Sequence, residues 1–429
     1  MLTQIGCWLL WAGLILPFCA LKASDSQVDD LSAQEGKIIR NIEFVGKFKL
    51  RHYILYREIG SRKGQPLSSA VLSLDRKKID SFGIFSEVRP EITARGDSVD
   101  VTFHLTEIWT LTPIASAGVT DKSFDWMVGA HERDVLGFYL NARAYYRRFE
   151  GENSYVFSGV FPRAFGKDLA LGLSLEYARE KDPLVMDSHP VFYRYLNKSI
   201  YGSAGIRVGD FFYPGIFAGY DRENWQLLNP DDGGDSVLQM VDYPRYLFGP
   251  SLAIGRIYSD HYYYTGTSLS TSLTMIRELP EGSFDSWRLQ FVESGYFIFR
   301  GLNICLRGQY FLSSANERVM PYAISGNDNV RGYRDRIIRG DQFLGGNAEV
   351  RRKFLESRRF YFQVASFLDA GSIWSRRRSF SDGINDIYWS VGGGLRFSFK
   401  QYPKLGRFDI AFDTRSRTWV YYLAASQFF

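Results

Sequence analysis

The sequence predicts a small α+β domain followed by an all-β barrel of roughly sixteen antiparallel strands. Helical spacing of apolar residues is confined to residues 37–108, whereas from residue 109 onward apolar and polar residues alternate with a period of two. Aromatic residues make up 16% of the 429 residues, beside 40 Gly, and the mean hydropathy is slightly negative. That composition is typical of a β-protein with one face toward lipid, although a soluble β-sandwich or propeller also has it.

The N-terminus is predicted to be a secretory signal peptide over residues 1–23. An apolar run covers residues 5–20, and Ala23 is a small residue before the expected cleavage site. The alternative is an uncleaved membrane anchor, because no Lys or Arg precedes the run. Residues 24–36 are polar and acidic and are predicted to be a linker. Beyond residue 23 no stretch reaches the ~18–20 apolar residues of a membrane helix, so a membrane could be crossed only by a closed β-barrel.

Residues 37–108 are predicted to fold as a separate α+β domain of about 70 residues, enough for a modest core of its own. The second predicted helix, which ends at Gly83, has Val71, Leu72, Ile79 and Phe82 on its apolar side. The predicted elements, in order, are a strand at 38–44, a helix at 50–59, a helix from Ser68 or Ser69, and strands at 86–94 and 99–105.

From residue 109 to residue 429 the pattern predicts the strands of the barrel. On the segment near 168–180, for example, Leu171, Leu173 and Leu175 share one face and smaller or polar residues share the other. About sixteen such segments follow one another, and a fourteen-strand count also fits the pattern. Their positions are near 109–118, 124–133, 137–149, 153–163, 168–180, 192–208, 210–222, 245–258, 262–276, 285–299, 301–313, 341–354, 358–370, 386–400, 405–413 and 418–429.

The predicted connections between these segments are mostly short, with longer ones at 181–191, 223–244, 314–340 and 371–385. The loop at 229–235 is rich in Asp, but no bidentate Glu follows at the spacing of a calcium loop. We therefore interpret it as a solvated loop and predict no metal site.

The long connection at 314–340 is predicted to fold into the barrel lumen and to be held there by charge. Strand alternation directs Glu349 and Asp369 to the lumen from neighbouring strands, where two carboxylates repel each other unless a cation lies between them. Arg331 is the natural candidate, since its planar guanidinium binds two acceptors at once. Gly332 beside it permits a tight backbone, and Tyr333 is placed to pack against the wall.

Residues 37–108 resemble a polypeptide-transport-associated (POTRA) domain. The matching features are Asn-Ile-Glu-Phe-Val-Gly at 41–46, Leu-Asp at 74–75 and Phe-Gly-Ile-Phe-Ser-Glu-Val at 82–88. The resemblance implies a domain that binds extended clients by adding a strand at an open sheet edge. A domain that only spaces the barrel from another component is the alternative.

The barrel resembles the superfamily of BamA-type outer-membrane insertases, TamA-type assembly proteins and two-partner secretion transporters. The motifs that carry this resemblance are Val-Arg-Gly-Tyr at 330–333, Gly-Asn-Ala-Glu-Val-Arg at 346–351 and Phe-Leu-Asp-Ala-Gly at 367–371, supported by segments 132–137 and 392–397. The resemblance implies that the loop bearing Arg331 enters the lumen and pairs with Asp369, with Glu349 as a second partner. Whether this clamp is purely structural or acts as a switch stays open at this point.

Two further residues of the motifs are assigned by the same resemblance. Val330 precedes the Arg-Gly pair of the loop, and Gly371 ends the motif that carries Asp369. The terminal Phe429 is similar to the aromatic residue by which outer-membrane barrels are recognised for assembly, although Gln427 departs from the usual apolar residue.

The sequence favours polypeptide handling over catalysis. It contains no Gly-x-Ser-x-Gly, no His-Glu-x-x-His and no phosphate-binding loop, so we predict no enzyme and no cofactor. The net charge of +5 is interspersed, which argues against nucleic-acid binding. The resemblance implies an outer-membrane protein with a periplasmic POTRA domain, whose partners are unfolded outer-membrane or secreted polypeptides, the bilayer and accessory proteins of the periplasm. A dedicated two-partner secretion transporter and a passive, porin-like or structural barrel are the alternatives.

Overall fold

A computed structural model describes the chain between residues 34 and 424, apart from several internal segments. Residues 1–33 and 425–429 lie outside the described residues, so the predicted signal peptide, most of the predicted linker and Phe429 do too. The described ranges are 34–119, 124–149, 151–166, 168–186, 189–228, 241–260, 263–279, 285–314, 319–326, 328–333, 338–357, 359–399 and 405–424.

The N-terminal domain packs two helices on a three-stranded sheet, in the predicted order of elements. β3 lies in the centre of the sheet, parallel to β1 and antiparallel to β2. Side chains from both helices and all three strands form one core, in which Ile54, Leu72 and Phe103 are fully buried. The elements are β1 (Ile38–Lys47), α1 (His52–Glu58), α2 (Ser69–Asp80), β2 (Phe85–Arg95) and β3 (Ser98–Glu107).

The helices differ from the prediction in two details. α1 is shorter than predicted, because Ile59 already has an extended backbone (φ −74°, ψ 152°). Val71 does not belong to the apolar side of α2: its side chain is 37% exposed, and Leu72 and Ile79 carry the buried face. Asp75 is buried on this helix and accepts the backbone N–H of Ser61, which orders the turn after α1.

The rest of the chain forms one sixteen-stranded antiparallel sheet, here called the wall, in which each strand pairs with its neighbours in chain order. This confirms the predicted sixteen strands over the alternative count of fourteen. The strands are β4 (Leu111–Val119), β5 (Phe124–Val135), β6 (Leu140–Phe149), β7 (Glu152–Phe161), β8 (Leu169–Met186), β9 (His189–Ile206), β10 (Phe212–Leu227), β11 (Val241–Asp260), β12 (Tyr263–Glu278), β13 (Ser286–Phe299), β14 (Leu302–Ser313), β17 (Gln342–Glu356), β18 (Phe360–Trp374), β19 (Ile387–Phe399), β20 (Leu405–Asp413) and β21 (Thr418–Ala424).

Side chains of the wall alternate between an inner and an outer face, as period-two patterning requires. On β18 the outer residues Val364 and Leu368 are 41% and 48% exposed, whereas Gln363, Phe367 and Asp369 are buried on the inner face. The apolar face therefore points outward and the polar face inward. The rim whose turns contact the N-terminal domain is called the near rim, and the opposite one the far rim.

Two predicted connections are largely strand. β8 and β9 pair without interruption from Leu169 opposite Ile206 to Met186 opposite His189, so the predicted connection at 181–191 is wrong. The predicted connection at 223–244 is also shorter, because β10 continues to Leu227. These strands have 16 to 20 residues, more than the ~9–11 that cross a bilayer. At the far end of β8 the sequence does not alternate, since Lys181 and Asp182 are soon followed by three apolar residues at 184–186, so period-two patterning does not predict the strand there.

The end strands of the wall, β4 and β21, do not pair within the described residues. Some of their Cα atoms approach within 8 Å, so the sheet curls until its two edges are close. A closed barrel would join these strands through a ladder of backbone hydrogen bonds. Among the described residues the two end strands therefore lie side by side without such a ladder.

None of the helices in the described part of the chain has the length and apolar character needed to cross a membrane. A search of the same residues finds no group of three or more His, Cys, Asp or Glu side chains that could hold a metal ion.

Candidate functional site

The loop between β14 and β17 folds back against the inner face of the wall. It contains a two-residue antiparallel pair, β15 (Tyr322–Ala323) with β16 (Arg339–Gly340). Apolar side chains from the loop pack with side chains from β17, β18 and β19, and this contact anchors the loop inside the wall. The buried members of this cluster are Tyr322, Ile324, Val330, Tyr333, Phe343, Ile373 and Tyr388.

Asn329 fixes the turn that precedes the predicted site residues. Its side-chain oxygen accepts the backbone N–H groups of Ser325 and Val330, both at 2.9 Å. Its amide nitrogen donates to the carbonyl of Ala323 at 2.9 Å. An Asn side chain that satisfies three backbone groups holds a turn in one conformation, so the backbone that carries Arg331 is set locally.

Gly332 lets the loop approach the last strands of the wall. Its φ of +102° is one that residues with a Cβ rarely adopt, and a Cβ there would lie 3.3 Å from Ser390. Its backbone N–H donates to the hydroxyl of Tyr422 on β21 at 2.8 Å. Tyr333 follows and donates its hydroxyl to the carbonyl of Trp389 at 3.2 Å. The two residues after Arg331 are thus bound to the wall.

Arg331 is fully buried and contacts three carboxylates. Its Nε and Nη2 donate to the two oxygens of Asp369 at 2.7 and 3.0 Å, a bidentate pair. Its Nη1 donates to Glu349 at 2.7 Å and to Asp409 at 3.2 Å. The guanidinium carbon also lies 3.4 Å from the centre of the Phe367 ring. One side chain of the loop therefore joins three strands of the wall.

Three further arginines surround the carboxylates that Arg331 contacts. Glu349 accepts from Arg351 at 2.7 Å and from Arg396 at 2.8 Å. Asp409 accepts from Arg396 and forms an ion pair with Arg407 at 3.5 Å. We call this set the lumenal charge cluster. It comprises Arg331, Glu349, Arg351, Asp369, Arg396, Arg407 and Asp409.

The lumenal charge cluster holds four guanidinium groups against three carboxylates, and every member is less than 9% exposed. Burying ions carries a desolvation penalty that only well-formed pairing offsets. The pairing is incomplete at Arg351, whose Nη1 and Nη2 are buried without a hydrogen-bond partner among the described residues. The guanidinium of Arg351 instead lies 6.0 Å from the centre of the Tyr264 ring.

The lumenal charge cluster lies in the C-terminal part of the wall. Glu349 and Arg351 belong to β17, Asp369 to β18, Arg396 to β19 and Asp409 to β20. With the contact between Gly332 and β21, the loop is bound to every strand from β17 to the free edge. The loop is consequently attached to that edge through direct contacts.

The structure brings the sequence-predicted residues of the loop and of the two strands together. Arg331 lies between Glu349 and Asp369, and Val330 is buried beside them. Gly371 is needed for this approach, since a Cβ there would lie 2.9 Å from Phe343 and 3.0 Å from Val330. A functional role for these contacts stays a prediction.

Sequence reasoning missed Asp409 and the arginines around it. The signal was present, because Arg407 and Asp409 alternate with apolar residues on β20 and so face inward with Arg396. Alternation tells which face a residue occupies, but it does not tell that the loop reaches as far as β20.

A second buried charge site joins the N-terminal domain to the near rim. Glu58, the last residue of α1, has a fully buried carboxylate. It accepts from Arg163 at 2.6 Å, from Arg207 at 2.9 Å and from Arg256 at 2.7 Å. These arginines come from the turn after β7, the turn after β9 and the near end of β11. One carboxylate of the domain thus ties together three parts of the wall.

Other contacts widen this junction around α2 and its C-terminal end. Lys78 donates to Asp210 at 2.6 Å. The Phe82 and Tyr139 rings pack with their centres 4.6 Å apart. No pattern in the sequence singles out Glu58, because an acid at the end of a short helix is ordinary and its three partners lie more than 100 residues away.

The junction shifts the pKa of Glu58 from 4.5 to about 2. Burial is the largest single influence, and it raises the pKa of Glu58 because it disfavours the charged carboxylate. The positive charges of Arg163, Arg256 and Arg207 outweigh that effect and lower it. Glu58 therefore stays ionised at neutral pH, and its charge is part of the docked arrangement.

Two family models match the chain. Residues 37–108 match the one described as POTRA, surface antigen variable number repeat. Residues 259–418 match the Omp85 superfamily domain, a range that contains the whole lumenal charge cluster. These matches confirm the resemblance inferred from the sequence motifs. A comparison with curated proteins finds no match.

Several solved structures share the fold. BamA from Haemophilus ducreyi lacking POTRA domains 1–3 has a TM-score of 0.53 at 15% identity, over 88% of this chain and 81% of that chain. CdiB from Acinetobacter baumannii has a TM-score of 0.54 at 14% identity, over 92% and 76%. CdiB from Escherichia coli has a TM-score of 0.58 at 14% identity, over 95% and 78%. At such identities the likeness concerns the fold alone.

Proposed function

We propose, from the matches of residues 259–418 to the Omp85 superfamily domain and of residues 37–108 to the POTRA domain, that this chain receives unfolded polypeptides on its POTRA domain and passes them into or across the outer membrane of a Gram-negative-type cell. The wall spans the membrane with its apolar outer face in lipid. The POTRA domain lies in the periplasm, so the near rim is periplasmic and the far rim extracellular. The clients are outer-membrane or secreted polypeptides, delivered with accessory proteins of the periplasm.

The observation that carries this proposal is that β4 and β21, the end strands of the wall, lie side by side with no ladder joining them among the described residues. An unpaired edge presents N–H and C=O groups that pair readily with another strand. In hydrocarbon these groups have no water to satisfy them, so the gain from pairing with a client strand is large. Strand addition itself then supplies the free energy, and no nucleotide is needed.

The POTRA domain has one edge suited to receive an extended client. The outer edge of β1 is occupied at its start, where Ile39 donates to the carbonyl of Gln65 at 2.9 Å and Leu67 donates to that of Lys37 at 2.8 Å. β2 is the other edge strand of the sheet. A client therefore adds beside β2, antiparallel or parallel to it, through backbone hydrogen bonds.

Ile92→Pro is expected to reduce client capture several-fold while leaving the POTRA domain folded. Pro90 lies inside the ladder between β2 and β3, so its missing N–H is on the free edge. Residues alternate along a strand, and Ile92 therefore directs its N–H to the same edge. The readout is photo-crosslinking to bound client from position Glu91 on β2, compared with Glu43 on β1.

Two further substitutions control this experiment. Ile92→Ala removes the apolar side chain but keeps the edge N–H, and it should capture client nearly as well as the unsubstituted chain. Thr93→Pro removes an N–H directed at β3 and should unfold the domain. Equal capture by Ile92→Pro and Ile92→Ala, or adducts at Glu43 as strong as those at Glu91, would contradict the assignment of the β2 edge.

Depletion of the protein tests the proposed function itself. We expect either a broad fall in outer-membrane barrels, which identifies an insertase, or the loss of one secreted protein, which identifies a dedicated transporter. Quantitative mass spectrometry of the outer membrane and of the culture medium measures both. An unchanged protein content in both fractions would leave only the passive barrel.

A further inference from the structure

Glu293 lies on the outer face of the wall, in the middle of β13. The other outward residues of this strand are apolar or glycine, three on each side of Glu293 along the chain. The strand alternates strictly, because Arg288, Gln290 and Val292 face the lumen. The outward residues of β13 are Trp287, Leu289, Phe291, Glu293, Gly295, Phe297 and Phe299.

The position of Glu293 along the strand places it near the centre of the bilayer. The outward residues from Trp287 to Phe299 span twelve peptide steps. That length is about 40 Å along the strand, which is about 28 Å along the membrane normal at a tilt of about 45°. That height matches a hydrocarbon core of about 30 Å. Glu293 is the midpoint, where a carboxyl group in contact with lipid is unfavourable.

Nothing in the described part of this chain satisfies the Glu293 side chain. It is exposed and forms neither a hydrogen bond nor an ion pair there. Its cross-strand neighbours on the outer face are Leu269 on β12 and Gly308 on β14. An intramembrane carboxyl that has no partner among the described residues points to a partner from another molecule.

The surface beside Glu293 is shaped for close approach of another wall. Gly308 pairs with Gly346 on β17, and Gly346 pairs with Ala370 on β18, so three neighbouring strands carry almost no outer side chain there. A Cβ at Gly308 would find no atom within 4 Å. The result is a shallow trough about three strands wide, next to a projecting carboxyl group. Small residues of this kind let membrane-embedded backbones pack closely.

The same surface also carries donors that suit a carboxyl group. Thr271 lies two residues from Leu269 on β12, and Tyr310 lies two residues from Gly308 on β14, both on the outer face. Both residues face away from the lumen and lie opposite Phe291, one outward position nearer the far rim than Glu293. The patch therefore carries a projecting carboxyl group, a trough and hydroxyl donors. Because the carboxyl group of one copy can enter the trough and meet the hydroxyl groups of another copy, the patch is complementary to itself.

We propose that this outer patch of β12, β13, β14 and β17 binds a second copy of the chain, with Glu293 of each copy accepting hydroxyl groups of the other. A two-fold axis along the membrane normal keeps every residue at its own depth, so the two mid-membrane carboxyl groups leave lipid together. The inference rests on the proposed placement of the wall in the outer membrane. The patch lies on β12–β17, apart from the free edges at β4 and β21, which stay accessible in the pair.

Cysteine crosslinking in intact outer membranes tests the proposal with the full chain. Gly308→Cys places a thiol in the trough, and Gly202→Cys places one on the outer face of β9, where a Cβ also finds open space. The native Cys305 is buried and does not react. With a short bifunctional thiol reagent we expect a covalent dimer from Gly308→Cys, at least tenfold more abundant than from Gly202→Cys.

Two substitutions added to Gly308→Cys separate a specific dimer from chance collisions. Glu293→Leu removes the carboxyl group and is compatible with lipid, so the wall should fold and the dimer yield should fall at least tenfold. Gly346→Leu fills the trough and should have the same effect. Heat-dependent mobility in gel electrophoresis verifies that each variant is folded.

Several outcomes overturn the proposal. Equal dimer yields at positions 202 and 308, a yield that Glu293→Leu leaves unchanged, or adducts only with a different membrane protein would each exclude the second copy as the occupant. If alkaline carbonate extracts the chain from membranes, the wall does not span the membrane, and this result excludes both the proposed placement and the proposed dimer. A carbonate-resistant chain without a dimer overturns the dimer alone.

Discussion

Arg331→Ala is expected to release the loop from the lumen and to reduce polypeptide transport at least tenfold. The substitution leaves Glu349, Asp369 and Asp409 without their shared cation, and removing one partner of a buried ion pair typically costs about 3–5 kcal/mol. The loop keeps its apolar contacts but loses its central anchor. Limited proteolysis within residues 314–340 measures the release, and client insertion or secretion measures the function.

Matched variants show whether the loss is specific to the guanidinium. Arg359→Ala removes an exposed arginine at the start of β18 and should change neither readout. Arg331→Lys keeps the charge but lacks the planar fork that contacts three carboxylates, so we expect an intermediate effect. If Arg331→Ala has the protease pattern and transport of Arg359→Ala, the loop is not held by this contact.

A charge swap discriminates a simple pair from the lumenal charge cluster. Arg331→Asp combined with Asp369→Arg would restore an isolated pair in reverse orientation. In this structure the swap places a carboxylate at position 331 beside Glu349 and Asp409, so repulsion replaces two of the three contacts. We therefore expect no recovery of loop protection, whereas full recovery would mean that only the pair with Asp369 matters.

Glu58→Gln is expected to detach the POTRA domain from the near rim without unfolding either part. The change leaves Arg163, Arg207 and Arg256 facing a neutral group, and loss of a buried charge that serves three partners is expected to cost about 3–5 kcal/mol. Distances between spin labels at exposed Asp97 in the POTRA domain and exposed Arg300 in the wall measure the detachment. Glu91→Gln, at an exposed acid of β2, is the matched control and should leave the distance unchanged.

The same contact predicts how docking depends on pH. The pKa of Glu58 is about 2 in the docked arrangement against 4.5 for a free side chain, so the stabilisation is fully present above pH 4.5. It is lost as the pH falls from about 4.5 through about 2, because protonation is easier in the detached state. The label distance should broaden in this window while the β-sheet signal in circular dichroism persists. A transition of equal size in Glu58→Gln would assign the effect to other acids.

The two charge sites lie in different parts of the wall. The lumenal charge cluster ties the loop to β17–β21, next to a free edge, and Glu58 ties the POTRA domain to turns after β7 and β9. Both sites bury charged groups, and ion pairing offsets the cost of desolvating them. We expect each site to be held in one geometry and to be released when a single partner is lost.

The amino-acid sequence alone determined the domain order, an antiparallel wall of about sixteen strands and the centre of the lumenal charge cluster. Period-two alternation assigns each residue to a face, and it does so wherever one face is apolar, as on β18. Arg331, Glu349 and Asp369 follow from that rule and from the repulsion of two inward carboxylates. The rule fails at the far end of β8, where charged residues at 181–182 and apolar residues at 184–186 stand in blocks instead of alternating, and there the predicted connection was wrong.

Only the tertiary structure decided which of the inward or outward residues meet. Asp409 joins Arg331 because the loop crosses the lumen to β20, and Glu58 meets arginines more than 100 residues away because the POTRA domain docks on three separate parts of the near rim. The depth of Glu293 depends on strand length and pairing register. Such contacts depend on the path of the chain and on the curvature of the wall, and local periodicity contains no information about either.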